Sequence, residues 1–219
     1  MEKDTSRKRL EQARLCVITD RSLAGGRSSI RTVMDALEGG ARMIQLREKS
    51  LPDEVLLPLA QEIRKLTLAA GALFIVNDIP ELAAAVGADG VHVGQRDIPV
   101  AEARRIVGPD RLVGLSVENM DQARAALGIG ADYLGVGPVF RTPTKSDAAP
   151  PAGLSIFREM KDAGVGIPAF AIGGVNLSNA EEILEAGAWG LAVVSAVVAA
   201  PNPLEATRAF VEILMKHPV

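Results

Sequence analysis

The segment Gly137-Pro-Val-Phe-Arg-Thr-Pro-Thr-Lys-Ser-Asp147 follows an apolar stretch, Asp132-Tyr-Leu-Gly-Val136, and sets two hydroxyls and an ammonium on a proline-stiffened loop. Thr142, Thr144 and Lys145 are the groups that hold a phosphate or diphosphate, the hydroxyls donating to its oxygens and the mobile cation balancing its charge. A Thr-Pro-Thr-Lys standing alone would equally be a solvent-exposed turn. It does not stand alone. Polar groups also follow other apolar stretches, at Thr19-Asp-Arg21, Gln45-Leu-Arg-Glu-Lys49, Asn77-Asp78, Gly94-Gln-Arg-Asp97, Ser116, Gly173-Gly174 and Ser195.

Each of these has a plainer reading beside the chemical one. Asp78 with Glu81 is also a helix-capping pair ahead of Pro80, and Asp97 before Ile98-Pro99 is also a cap for the next helix. Together, however, the two aspartates offer a pair of carboxylates suited to Mg2+, which takes few protein oxygens and completes its shell with substrate phosphates. Arg47, Lys49 and Lys145 are either solvated surface cations or the counter-charge of a metal-bound diphosphate, where they would also stabilise departing pyrophosphate. Gly173-Gly174 is either a tight turn or a place where backbone N–H groups approach a phosphate, with a helix N-terminus at Asn176–Asn179 adding its dipole. Ser195 is either a small packing residue or a donor to that same phosphate. His92, inside an apolar stretch, reads as a hydrogen-bonded interior group, and His217 at the C-terminus carries no case for function.

The elements that position these groups are written in repeats. An Ala/Leu-rich helix, then Gly-Ala, then a short apolar strand recurs at Met34–Ile44, Leu82–Val91, Ala123–Tyr133 and Ala180–Gly190. Glycine after a helix takes the left-handed cap, and repeated helix–Gly–strand units imply parallel pairing. Eight strand-like cores follow: Leu15–Thr19, Arg42–Leu46, Leu73–Asn77, Asp89–Val93, Leu112–Ser116, Asp132–Val136, Pro168–Ile172 and Gly190–Val194. Helices such as Asp53–Ala70 and Leu204–Lys216 separate most of them. The expected fold is α/β, a single (β/α)8 TIM barrel over residues 1–219, with residues 1–9 disordered or forming an extra N-terminal helix across the barrel bottom. No Gly-x-Gly-x-x-Gly opens the first βα turn, which argues against an open doubly wound sheet. In such a barrel the polar strand endings converge on one mouth, and alternation puts Gln45, Arg47 and Lys49 on the side that faces it. Phosphate sites in this fold favour the loops after strands seven and eight, which supports the chemical reading of Gly174 and Ser195. Two anion sites on one mouth, one metal-assisted and one metal-free, suit an enzyme that joins a diphosphate to a phosphorylated partner.

Composition narrows the class further. The chain is 48% hydrophobic with 3% aromatic residues and a net charge of −3. It lacks the basic stripe and stacking aromatics of a nucleic-acid binder. The low-polarity run Ala188–Ala200 is too short to span a bilayer, and the charged Met1–Gln12 is no secretory signal, so a cytoplasmic protein is expected. Cys16, the only cysteine, lies in Leu15-Cys-Val-Ile18 and reads as an inert core thiol. An exposed helical face is compatible with a homo-oligomer.

At these residues the sequence closely resembles the thiamine-phosphate synthases. CVITD, IQLREK, FIVNDIPELAAAVGADGVHVGQRD, LVGLSVEN, GADYLGVGPVFRTPTKSDA, AIGGV and VVSAV carry the resemblance, in family order, from Leu15 to Ala200. It implies condensation of hydroxymethylpyrimidine diphosphate with thiazole phosphate, or its carboxylated tautomer, releasing pyrophosphate. By the same resemblance Gln45, Arg47, Lys49, Asn77, Ser116 and Lys145 would contact the pyrimidine diphosphate, and Asp78 and Asp97 would hold Mg2+. Thr142, Thr144, Gly174, Val194 and Ser195 would bind the thiazole phosphate. The implied mechanism is dissociative: a pyrimidinylmethyl cation, stabilised by the ring's amino group, needs leaving-group stabilisation and positioning but no covalent nucleophile. The segment 138–151 is long enough for a lid over that cation.

The thiazole tautomerases are the alternative within the family pattern. They resemble the synthases but lack the paired metal carboxylates and use a His near the strand-five loop, where this chain has Glu118. A sugar-phosphate isomerase would need a central acid/base pair, for which His92 and Asp20 are unpersuasive. A non-catalytic sensor on the same scaffold would bind thiamine phosphate without turnover.

Overall fold

A computed structural model describes residues 2–49, 51–142, 144 and 149–218. Eight strands, β1 (Leu15–Ile18), β2 (Met43–Leu46), β3 (Leu73–Asn77), β4 (Gly90–Val93), β5 (Leu112–Val117), β6 (Tyr133–Val136), β7 (Ala169–Ala171) and β8 (Gly190–Val193), alternate with helices. All pair in parallel with their sequence neighbours, and β1 closes onto β8 with Leu15 opposite Leu191. The protein is a (β/α)8 barrel, as the repeats predict. The strands are three to six residues long and, apart from Asn77 and Ser116, buried, so they read as near-continuous apolar runs.

The helices are α1 (Glu2–Gln12), α2 (Ser29–Glu38), α3 (Asp53–Ala69), α4 (Pro80–Ala85), α5 (Val100–Val107), α6 (Met120–Ala126), α7 (Ser155–Asp162), α8 (Ala180–Glu185), α9 (Ser195–Val198) and α10 (Pro203–Lys216). Period-two alternation divides the strand residues between two cores. Val17, Ile44, Phe74, Val91, Val113 and Leu134 face outward onto the helices. Cys16, Met43, Leu73, Leu112, Tyr133 and Phe170 fill the barrel. Burial pushes the Cys16 thiol up to about 12, so it is the inert core group its sequence setting implies.

The Gly-Ala-Asp units explain how the wall is stitched at its lower end. Gly87 takes a left-handed turn (φ +64°) after α4, and the chain enters β4 three residues later. Asp89, just before β4, accepts from the Phe74 N–H of the neighbouring strand at 2.8 Å. Asp132, just before β6, accepts from the Val113 N–H at 2.9 Å. Each carboxylate is also clasped by arginine: Asp89 by Arg64 (2.7 Å) and Arg9 (2.9 Å), Asp132 by Arg104. Arg9 belongs to α1, whose Leu10 is buried among the interior residues, so the N-terminal segment is a helix that closes the barrel bottom. Three polar partners hold the Asp89 carboxylate, whose side chain is 6% exposed.

Removing it leaves two part-buried guanidinium groups and a buried N–H without their acceptor. Asp89→Ala is therefore expected to destabilise the fold by about 3 kcal/mol, read as a lowered urea midpoint at unchanged slope. A loss within about 0.5 kcal/mol, the size of an ordinary surface change, would contradict this account.

Candidate active site

The strand C-termini carry the polar groups, and the structure brings most of them together in two sets. On the β2–β5 side, Lys49 Nζ lies 3.6 Å from an Asp78 carboxylate oxygen. Arg47 pairs with Asp20 at 3.4 Å, across the gap between β1 and β2, and the Thr19 hydroxyl accepts the Arg47 N–H at 3.0 Å. Gln45 is buried within β2, Arg47 is half-buried and Lys49 exposed, so the three climb from the barrel interior to its rim. Lys49, Asn77 and Asp78 share the wall of a cleft of about 240 Å³. A larger hollow, about 400 Å³, lies at the opposite end of the strands beside Pro168 and Trp189, away from these charges.

Neither aspartate acts as a helix cap. The residues preceding α4 and α5 are Ile79 and Pro99, and neither helix receives a side-chain cap bond. Asp78 instead takes a left-handed backbone (φ +62°), which aspartate tolerates at modest cost, and its N–H donates to the His92 carbonyl at 2.8 Å. Asp97 accepts from the Gly94 N–H at 2.7 Å and so closes its own turn. A Cβ at Gly94 would lie 2.9 Å from that carboxylate oxygen and would push the Asp97 side chain aside.

The two carboxyl groups then meet. Burial raises the Asp78 carboxyl above the ordinary aspartate range, and a hydrogen bond with Asp97 and its charge raise it further, against the pull of Lys49 and Arg47. Among the described residues no cluster of three or more His, Cys, Asp or Glu is placed to hold a metal. A pair of carboxyl groups only partly balanced by Lys49 and Arg47 nonetheless fits a hard divalent cation that draws its other ligands from phosphate and water.

Ser116 ends the interior face of β5, half-buried, with its hydroxyl 2.9 Å from His92 Nε2. His92 is buried in the barrel wall, and burial pushes its imidazole down to about 4, the Asp97 charge opposing. It is the hydrogen-bonded interior group expected from its place in the strand.

On the other side of the mouth, the loop after β6 is zipped onto the end of β7. Val139 N–H donates to the Ile172 carbonyl (2.9 Å) and Phe140 N–H to that of Gly173 (3.0 Å). The far root of the loop returns through Ala152 to the Pro138 carbonyl at 2.8 Å. Phe140 and Arg141 thus lie against Gly174, and the Thr142 hydroxyl that follows accepts from the Thr144 N–H at 3.2 Å, which keeps its own proton available. Pro143 and Lys145–Ala148 lie outside the described residues, and the expected role of Lys145 with them. Val194 and Ser195 follow β8, Ser195 exposed as the first residue of α9.

One local expectation changes. Residues 176–179 form a polar turn, and α8 starts only at Ala180. Asn179 Oδ1 accepts from the Asn176 N–H at 2.8 Å and its Nδ2 donates to the Gly174 carbonyl at 3.0 Å, so these side chains compete with helix formation. Three contacts at the site escaped the sequence reading. They are Asp20 beside Arg47, Glu48 bonded to Ser29 Oγ at 2.6 Å, and the Tyr133 hydroxyl 3.2 Å from His92 Nδ1. Alternation inward from Ile18 and along β6 was the available signal for Asp20 and Tyr133.

Comparisons with known proteins agree with this architecture. Residues 15–197 match the family model described as thiamine monophosphate synthase. A thiamine-phosphate synthase of Roseiflexus sp. (strain RS-1) is 50% identical over 193 residues, 88% of this chain and 81% of that protein. One from Roseiflexus castenholzii is 49% identical over 197 residues, 90% of this chain and 86% of that protein. The solved thiamine phosphate pyrophosphorylase of Pyrococcus furiosus superposes with a TM-score of 0.87 at 40% identity, covering 95% of this chain and 98% of that one.

The contact between the loops after β6 and β7 depends on missing side chains. Gly174 has φ +71°, and a Cβ there would lie 2.7 Å from Phe140 Cβ and 3.0 Å from the Arg141 carbonyl. Gly174→Ala is expected to lower stability by about 1–3 kcal/mol through backbone strain and this clash, measured by thermal unfolding. An unchanged midpoint would show that the two loops are not held together as described.

Proposed function

The chain belongs to the thiamine monophosphate synthase family; it is an enzyme joining a pyrimidine and a thiazole into thiamine phosphate, and we propose that it does so by a dissociative route at this barrel mouth. The substrates in this reading are hydroxymethylpyrimidine diphosphate and thiazole phosphate or its carboxylated tautomer, with pyrophosphate leaving. The observation that carries it is the charge arrangement at the ends of β2, β3 and β4, where Arg47 and Lys49 act on Asp78 and Asp78 meets Asp97.

Asp78 and Asp97 would hold Mg2+, which when bound supplies positive charge to the departing diphosphate. The chain's own cations, Arg47, Lys49 and Lys145, neutralise the rest of that charge, and Ser116 donates a hydrogen bond to it. Gln45 and Asn77 orient the pyrimidine from the interior face of β2 and β3. Ionisation of the C–O bond leaves a pyrimidinylmethyl cation, and the thiazole nitrogen, positioned by its phosphate, attacks the same carbon. Thr142, Thr144, Gly174, Val194 and Ser195 hold that phosphate at the other side of the mouth. Binding both substrates at fixed separation removes the entropy of their encounter. The loop after β6 touches the metal-free site at its root and carries Lys145, so it would shield the cation from water.

The route asks for no covalent nucleophile; among the described residues, Cys16 is buried and held protonated, and His92 is neutral and occupied by hydrogen bonds. The tautomerase alternative finds no imidazole in the segment 116–119, where Glu118 stands. No described helix is long and apolar enough to cross a membrane. A cytoplasmic setting, with small-molecule substrates and no nucleic-acid partner, belongs to the same proposal.

The test is pyrophosphate release from the two substrates with Mg2+, which must exceed the enzyme-free control. Asp78→Asn keeps a residue that tolerates the left-handed backbone and removes a charge that burial and Asp97 already disfavour. Its turnover is expected to fall by about 10²-fold or more, with a melting temperature unchanged or raised. Mg2+ with pyrophosphate should raise the melting temperature of the wild type but not of this variant. Equal ligand stabilisation of both proteins would remove Asp78 from the metal site.

A further inference from the structure

A line of polar groups runs through the barrel interior on its β4–β6 side. Tyr133 Oη lies 3.2 Å from His92 Nδ1, and His92 Nε2 lies 2.9 Å from Ser116 Oγ, so phenol, imidazole and hydroxyl run in sequence from the middle of the barrel to its mouth. Two interior strand positions give up their side chains to make room. A Cβ at Gly114 would lie 2.2 Å from Tyr133 Cζ and 2.6 Å from His92 Nδ1, and one at Gly135 would lie 3.1 Å from His92 Cε1. Tyr133 is further fixed by an edge-on contact with Phe170, ring centroids 5.6 Å apart.

The direction of the hydrogen bonds follows from counting donors. A neutral imidazole has one nitrogen that donates and one that accepts. Tyr133 is 2% exposed, and among the described residues its hydroxyl finds a partner only in His92 Nδ1. If Nδ1 carried the proton, the buried phenolic O–H would have no acceptor, which a buried donor rarely tolerates. Tyr133 therefore donates to Nδ1, the imidazole proton sits on Nε2, and Nε2–H donates to Ser116 Oγ. Ser116 then has no acceptor at the imidazole, and its own proton is left for the mouth. The reversed chain would turn the Ser116 proton inward and present only lone pairs to an anion.

We propose that Tyr133 and His92 are positioning residues that fix Ser116 as a hydrogen-bond donor toward the substrate diphosphate. This rests on the reading above in which Ser116 meets that diphosphate. Neither Tyr133 nor His92 touches substrate. Their effect is to set the hydroxyl rotor and the imidazole tautomer before substrate arrives, so that no reorientation is needed as charge develops on the leaving group.

The test has a spectroscopic and a kinetic arm. The chain has two histidines, and His217→Gln leaves His92 as the only imidazole in a ¹⁵N-histidine-labelled sample. Long-range ¹H–¹⁵N correlation at neutral pH is expected to show the Nε2–H tautomer in this protein and a loss of that exclusive tautomer when Tyr133→Phe is added. An Nδ1–H tautomer, or an imidazolium, in the Tyr133 protein would overturn the relay whatever the kinetics. In the kinetic arm, Ser116→Ala should lower kcat by about 10²-fold, the loss typical of one preorganised donor. Tyr133→Phe, which keeps the ring volume, should lower kcat several-fold with little change in the melting temperature. In the Ser116→Ala background the same change should have no further effect, because its route to substrate is gone. A Tyr133→Phe penalty that multiplies the Ser116→Ala loss would make Tyr133 merely structural and overturn the proposal. A Ser116→Ala enzyme with undiminished kcat would instead overturn the diphosphate-site reading itself, and the tautomer measurement separates the two failures.

Discussion

Two carboxyl groups held against each other at the rim of the barrel are the constraint around which the rest of the mouth is arranged. Asp78 and Asp97 lie on neighbouring βα loops, and each is fixed by backbone rather than by a flexible stem. Asp78 sits in a left-handed conformation with its N–H on the His92 carbonyl, and Asp97 closes the Gly94 turn. Burial, a hydrogen bond with Asp97 and the Asp97 charge together raise the Asp78 carboxyl above its ordinary range. Lys49 opposes that rise from 3.6 Å. A site in which negative charge is held together and cations wait beside it favours a ligand that brings a metal and many anionic oxygens. A diphosphate with Mg2+ is such a ligand.

Closure of the barrel makes this arrangement reproducible. Every strand end is set by two parallel neighbours, and the lower ends are locked by Asp89 and Asp132, each accepting an N–H of the strand before it. Rigid lower ends leave the upper ends free to carry residues chosen for chemistry, some at a cost to stability. The left-handed Asp78 and the side-chain-free Gly173 and Gly174 are such positions. In the middle of the barrel Gly114 and Gly135 admit the His92 and Tyr133 rings. Those rings lead directly to Ser116.

The barrel was legible because helix–Gly–strand units recur and each strand is a short apolar run. Predicted strand ends ran one residue long at places such as Thr19, Asp89 and Asp132. At Asp89 and Asp132 the backbone N–H still bonds to the adjoining strand while the side chain serves it as well, so sequence pattern cannot mark where the ladder stops. The helix start expected at Asn176–Asn179 moved to Ala180 because the asparagine side chains satisfy the turn's backbone groups first. Asp78 and Asp97 were ambiguous for a physical reason: an aspartate shortly before a proline is equally a cap and a strand-end ligand. Only the conformations at Ile79 and Pro99, helix starts without side-chain caps, separate the two. Contacts across strands, such as Asp20 with Arg47 or Tyr133 with His92, depend on register and could not be read from local spacing.

The central claim is that pyrophosphate and a divalent cation occupy the β2–β5 side of the mouth. The most direct measurement is a crystal structure with pyrophosphate and Mn2+ in place of Mg2+, using the anomalous signal to locate the metal. The account predicts one strong peak bridging the Asp78 and Asp97 carboxylates, with the diphosphate oxygens among Arg47, Lys49 and Ser116. A metal bound away from both aspartates, or pyrophosphate lodged only against Gly174 and Ser195, would contradict it.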